Sequence, residues 1–425
     1  MRFRDKRQEI SDKKTCSPKP RFRAGLLLSI VFLLVPCHLS LVASAEAARI
    51  EYHEGLPVVF LSGTPYELGY QHGTLLRNKV RSAVQCVLGY FRQYLKIPLV
   101  SPWVVNWWLD TSWKSATPFI PPDALEELRG LSEGSGVALQ ELYRLHAIPD
   151  RTYSCSSFAA WGEATTGGRL IHMRNLDWST QAGIQDFPVV FVVHPDGKQA
   201  FVNVGWAGFI GVLTGINEQE LSIGQIGAKT LDTTPRGEPM VFLMRQVLEE
   251  AQGLEAASAI IVNGRRTIGT NYVLADAKAR RAVVVETTSR HARIFEANDP
   301  AERIVRYARP MADIVFRADT AVDPSIRNQQ FASGGNPTRP GLEDPTGSAY
   351  EVRYLGQAAG LAAHYGALNS ETARQIAQAV APASNIQSVV VAWPYLWVAN
   401  AQGRRPAAKS TYHFFNIEQL LQSPS

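Results

Sequence analysis

Hydrophobic positions change their period several times along the chain. Leu68, Leu75, Leu76, Val80, Val84, Val87, Leu88 and Phe91 recur at helical spacing as far as residue 95. They follow Thr64-Pro65-Tyr66-Glu67, a capping box with proline at the first helical position. A tryptophan-rich connection (Trp103, Trp107, Trp108, Trp113) leads to two shorter predicted helices, 123–133 and 138–147, separated by Gly134 and Gly136. Region 49–154 therefore reads as mainly helical. From Cys155 the period becomes two, which predicts strands over 156–161, 169–173, 189–194, 199–204, 210–214 and 220–225. Pro195-Asp196-Gly197-Lys198 and Asn217-Glu218-Gln219 supply turns. Helical spacing returns at 239–251 and 254–262, and strands at 272–275 and 282–286. Stretch 321–346, rich in Gly, Pro and Asn, is predicted as a surface loop. Helices over 352–363 and 370–380 precede strands over 388–392 and 395–399. This order of elements predicts an α+β architecture in which helices cover the sheets.

The 425 residues, 45% hydrophobic and 19% charged, allow a large buried core. The first 23 residues hold nine Lys/Arg against three acids. An uncharged apolar stretch, 24–45, follows and ends in Ala43-Ser44-Ala45. A basic head, an apolar centre and an A-x-A site predict a secretory signal peptide over 1–45 and a periplasmic or extracellular protein. An uncleaved membrane anchor is the alternative, although Pro36 breaks the run. Without the leader the chain is near neutral, so its basic balance gives no reason to expect nucleic acid. Cys16 and Cys37 leave with the leader, and Cys86 and Cys155 remain. Two cysteines form no disulfide framework, and the helical context of Cys86 argues against a single bridge.

Cys155 opens CSSFAAWGEATTGGRLIHMRNLDW (155–178), a strand-like run, a Gly-Gly turn and a second strand ending in Arg174, Asn175 and Asp177. An amide-cleaving thiol needs these residue types: a nucleophile, a cation that favours thiolate, and a carboxylate that holds an ammonium. A free thiol, with a pKa of about 8.5, also needs a base at neutral pH. His53, His72, His146, His172, His194, His291, His364 and His413 have no context that marks one, and His172 alternates with Ile171 and Met173 as a strand-face residue. A cut between Ser154 and Cys155 would supply the base from Cys155 itself, since a free α-amine has a pKa of about 8. The structural alternative for Arg174 and Asp177 is an ordinary ion pair at a strand end. H-E-x-x-H, Cys/His zinc spacing, G-x-S-x-G and P-loop motifs are absent, so neither a metal nor a cofactor is expected.

Cys155 followed by RNLDW (174–178) resembles the N-terminal-nucleophile hydrolases of the choloylglycine hydrolase kind. GTPYELGYQHGTLL (63–76) resembles more narrowly the C45 autoproteolytic acyltransferase/hydrolase family, related to acyl-coenzyme A:6-aminopenicillanate acyltransferase. LRGLSEGSGVALQEL (128–142), GINEQELSIG (215–224), NYVLAD (271–276) with Glu286, and SNIQSVVVAW (384–393) are similar to that family in the same order. The chain departs from it at Gln219-Glu220, where a small residue and glycine are usual. The resemblance implies a four-layer αββα sandwich and self-cleavage into a helical N-terminal chain (49–154) and a catalytic chain (155–425). It also implies Cys155 as nucleophile, Arg174 and Asp177 as its immediate partners, Asn271 as oxyanion donor, and Arg353 in SAYEVRY as an arginine near the site.

The expected activity is that of an exported cysteine hydrolase or acyltransferase acting on a non-peptide amide of a small molecule. The alternatives are a lipid-amide or phospholipase B-like hydrolase on the same fold, and a catalytically silent envelope binding protein in which Cys155 is a buried strand residue. Membrane contact is expected only through an uncleaved leader. Homo-oligomer formation is left open.

Overall fold

The computed structural model describes residues 48–94, 102–149, 154–330, 347 and 349–422. The leader, Tyr153 and much of the predicted 321–346 loop lie outside the described residues. In chain order the N-terminal part holds β1 (Arg49–His53), β2 (Leu56–Gly63), α1 (Pro65–Leu75), α2 (Arg77–Tyr94), α3 (Pro102–Ala116), α4 (Pro122–Ser135) and α5 (Leu139–His146). There follow β3 (Ser154–Gly162), β4 (Gly168–Asp177), β5 (Pro188–Pro195), β6 (Phe201–Trp206), β7 (Thr214–Asn217) and β8 (Leu221–Gly227). Next come α6 (Met240–Glu250), α7 (Leu254–Asn263), β9 (Thr270–Asp276), β10 (Arg281–Thr287), β11 (Ala292–Phe295), α8 (Pro300–Arg303), β12 (Ile314–Arg317) and α9 (Pro324–Arg327). The chain finishes with α10 (Leu355–Ala363), α11 (Ser370–Val380), β13 (Asn385–Ala392), β14 (Tyr395–Asn400), β15 (His413–Asn416) and α12 (Ile417–Gln422).

Two sheets form. Nine strands run in the order β1-β2-β5-β6-β7-β8-β9-β10-β11, and six in the order β12-β3-β4-β13-β14-β15. Every pairing is antiparallel except β2 with β5. Val58, Phe60, Val190 and Val204 of the larger sheet pack against Val389, Val391 and Val398 of the smaller one. Phe158, Met173 and Val390 turn the other way, onto Leu361, Ile376 and Ala377 of α10 and α11. Val59, Leu61 and Phe191 face outward beneath α1 to α5, with Ile223 and Leu274 beneath α6 and α7. The layers are thus αββα. β8 and β9 are buried along their whole length, and their polar side chains (Ser222, Gln225, Asn271) turn to hydrogen-bonding partners inside.

Region 49–154 is not purely helical, because β1 and β2 open it. The short apolar run of β2, LPVVFLSG, has no helical length, and periodicity alone does not assign such a run. The strand expected at 210–214 begins instead at Thr214. The helix expected from 352 starts as a π-helical turn, Ala349–Tyr354, before α10. β11, β12 and β15, four residues each, are too short to declare a period.

α1 begins as the capping box requires: Glu67 N donates to Thr64 Oγ1, and Thr64 N donates to Glu67 Oε2 at 2.8 Å. Its glycines then cross those of α4 in direct backbone contact. A Cβ on Gly69 would lie 1.8 Å from Glu127 O, and one on Gly130 2.0 Å from Tyr66 O. GYQHG and RGLSEG are recognisable motifs because only glycine permits that crossing.

Candidate active site

Cys155 lies second in β3, registered against Leu176 of β4, with Ser154 opposite Asp177. β3 and β4 form a hairpin, so the alternation that points Cys155 at the larger sheet also points Arg174 there. The thiol is fully buried. Arg174 Nη2 approaches Cys155 Sγ at 3.3 Å and donates to Gln225 Oε1 at 3.2 Å and Gln225 O at 3.1 Å. Arg174 Nη1 donates to Thr214 Oγ1. Gln225 Oε1 also lies 3.7 Å from Sγ. The Arg174 contact fixes which end of the Gln225 amide carries oxygen, and it leaves Nε2 buried without a hydrogen-bond partner.

Arg353, expected near the site, lies against Asp177. Arg353 Nη1 donates to Asp177 Oδ2 at 3.0 Å, and Asn385 Nδ2 donates to Asp177 Oδ1 at 3.0 Å. The same Arg353 nitrogen lies 2.9 Å from Asp319 Oδ2. Asp319, rather than Asp177, accepts the Cys155 backbone N–H, at 2.7 Å. The Ser154 side chain hydrogen-bonds Asp319 too. Asp319 thus touches both residues of the Ser154–Cys155 bond. The side chains of Arg353 and Asp319 keep 11% and 13% of their surface exposed, so the site reaches solvent on their side.

Burial dominates the electrostatics. It pushes the Cys155 thiol up to about 11, with Arg174 pulling it down and Asp319 and Asp177 pushing it further up. Burial raises Asp177 to about 7 and Asp319 to about 6, each opposed first by Arg353. No histidine serves as base among the described residues of the site. His172 Nδ1 meets Ser222 Oγ at 2.8 Å and its Nε2 meets Ser157 Oγ at 3.1 Å. Burial lowers His172 to about 3, so it is neutral. His72 and His146, lowered by burial to about 3 and about 4, accept from Gly208 N and Ile210 N and brace the β6–β7 connection. Both described cysteines are free thiols, and no cluster of three metal-ligating side chains occurs among the described residues.

Asn271 is placed differently from an open oxyanion donor. Its Nδ2 donates to Ala318 O at 3.1 Å and Thr320 O at 3.3 Å, holding the segment that carries Asp319. Asp319, Gln225 and Asn385 escaped the sequence reading. Asp319 follows the unpredicted β12, and Gln225 stands one residue beyond the GINEQELSIG motif.

The fold and the site together give an αββα sandwich with a cysteine at the head of a sandwiched strand, the arrangement that the motif resemblance implies. Comparison with known proteins agrees with the family resemblance carried by the motifs. Residues 164–307 match the family described as acyl-coenzyme A:6-aminopenicillanic acid acyl-transferase, a span that includes Arg174, Asp177 and Asn271. Protein dcd1B of Dictyostelium discoideum is 29% identical over 263 residues, 57% of this chain and 52% of that protein. N-acylethanolamine-hydrolyzing acid amidase of Oryctolagus cuniculus is 22% identical over 180 residues, 39% of this chain and 48% of that protein. The chain thus spans about half the length of these two relatives. Among solved structures, the Caenorhabditis elegans ortholog of that amidase aligns at 16% identity with a TM-score of 0.40, covering 56% of this chain and 92% of that one.

Proposed function

We propose that the protein is an exported, self-cleaving cysteine amidase that hydrolyses N-acyl amides through an acyl-enzyme on Cys155. The observation that carries this reading is a buried thiol with no histidine base, whose own backbone nitrogen is bound by a carboxylate. In the uncut chain burial holds the thiol protonated at neutral pH, and Cys155 has no α-amine to take its proton during attack on an outside amide. A cut after Ser154 turns the Cys155 nitrogen into an α-amine able to take the thiol proton. Sγ, with Arg174 stabilising its charge, then adds to the substrate carbonyl. The amine product leaves with that proton, and water releases the acid.

The donor left free beside the thiol is Gln225 Nε2, which supports an oxyanion role for it. A small apolar cavity of about 20 Å³ is lined by Val87, Leu145, Trp178, Trp206, Phe209 and Ile386, an apolar wall against which the start of an acyl chain could rest. Trp178 and Ile386 directly follow Asp177 and Asn385, so this lining adjoins the site. Hydrolysis is favoured over transfer because an exported enzyme meets water rather than an acyl-coenzyme A donor.

The test is fatty-acid release from long-chain N-acyl amino acids by the full chain, beside release of a β-lactam side chain and a phospholipid control. Wild type is expected to release fatty acid and Cys155→Ala to release none. A Cys155→Ala variant as active as wild type would overturn the reading.

A further inference from the structure

Arg317 ends β12 and residues 318–323 follow it as an irregular segment, yet buried side chains from five different places fasten this backbone. Gln357 Nε2 donates to Arg317 O, Asn271 Nδ2 to Ala318 O and Thr320 O, and Gln330 Nε2 to Asp319 O. Ala321 N donates to Gln330 Oε1, and Val322 N and Asp323 N donate to the fully buried Glu286 carboxylate. Tyr307 Oη donates to Val322 O. Arg317, itself buried, pairs with Glu286 and Glu302. Polar groups taken out of water are costly unless each finds a partner, and here five side chains meet that cost on one short segment. What the segment presents is the Asp319 carboxylate, 2.7 Å from the Cys155 nitrogen and bonded to the Ser154 side chain.

We propose that Asp319 is a catalytic residue that holds the Cys155 nitrogen through both stages of the chemistry, as the amide of the uncut chain and as the α-ammonium of the mature enzyme. This rests on the self-cleavage reading above and assigns to Asp319 the ammonium-holding role that sequence suggested for Asp177. In the cut, Sγ adds to the Ser154 carbonyl carbon and the thiol proton passes to the Cys155 nitrogen. The C–N bond breaks to leave a thioester, and water hydrolyses that thioester to the Ser154 acid and the free thiol. Asp319 favours each step in which the nitrogen gains positive character. Asp177 cannot take this part as directly, since its oxygens are engaged by Arg353 and Asn385. The charged groups around the nitrogen are Asp319, Asp177, Arg353, Arg174 and, through its charge on Asp319, Lys229.

The experiment follows self-cleavage of the full chain by intact mass and kcat/KM against pH for wild type, Asp319→Asn and Asp319→Glu. Asp319→Asn is expected to cut at least about 10-fold more slowly. Loss of the negative charge lowers the pKa of the ammonium, so the acid limb of the mature variant should move down by about one pH unit. Asp319→Glu keeps the charge and should restore the limb. A purely structural role would lower melting temperature and yield without moving the limb. Should Asp319→Asn fail to fold, Gln330→Ala loosens the segment with the carboxylate retained: cutting slowed about three-fold or more supports the assignment, and an unchanged rate contradicts it. Wild type that stays whole and inactive defeats the reading of function. Wild type that cuts, beside Asp319→Asn with an unchanged rate and limb, defeats the role of Asp319 alone.

Discussion

At the scale of single residues, the site opposes one cation to a thiol that burial and two carboxylates hold protonated, with Arg174 at 3.3 Å from Sγ as the counterweight. Gln225 belongs to this balance, because its oxygen is taken by Arg174 and its nitrogen is free. Gln225→Leu should therefore lower kcat by about 100-fold, the usual cost of one oxyanion donor, while self-cleaved protein still reacts with a thiol alkylator. An unchanged kcat would remove Gln225 from the mechanism. Cys155, Arg174 and Asp177 were legible in the sequence because one hairpin places them together within 23 residues. Gln225 and Asn385 reach the same point from β8 and β13, and Asp319 from the segment after β12, and no local spacing announces such a meeting. The Asn271 motif was legible, but not that its amide faces the carbonyls flanking Asp319.

At the scale of elements, the α1–α4 crossing gives the physical reason for two of the recognisable motifs. Gly69→Ala or Gly130→Ala must push the helices apart, since each added Cβ meets a backbone oxygen, and should cost about 1–3 kcal/mol or more in urea unfolding. Gly89→Ala in α2, where a Cβ meets nothing within 4 Å, should instead be neutral or stabilising by up to about 1 kcal/mol. Equal effects at the three positions would show that the crossing is not tight. Long amphipathic helices and buried strands were readable from period, as α11 and β8 illustrate. β2 and β12 were not, because a short apolar run and a four-residue strand carry too few positions to fix a period. The missed β12 hid Asp319 with it.

For the whole molecule, the larger sheet draws strands from both sides of the Ser154–Cys155 bond. β2 pairs in parallel with β5 from Val58↔Val190 to Gly63↔Pro195. α1 to α5 also share one core with the outer face of that sheet. Cleavage should therefore yield two chains that remain one particle until denatured, with the N-terminal chain contributing structure as well as latency. The central claim, that Cys155 works as an N-terminus, is tested most directly by mass. Denaturing intact-mass analysis of freshly purified protein should give two chains, the larger beginning at Cys155, that elute together under native conditions, and Cys155→Ala should give one. A wild-type protein that remains a single chain and resists thiol alkylation at neutral pH would contradict the account.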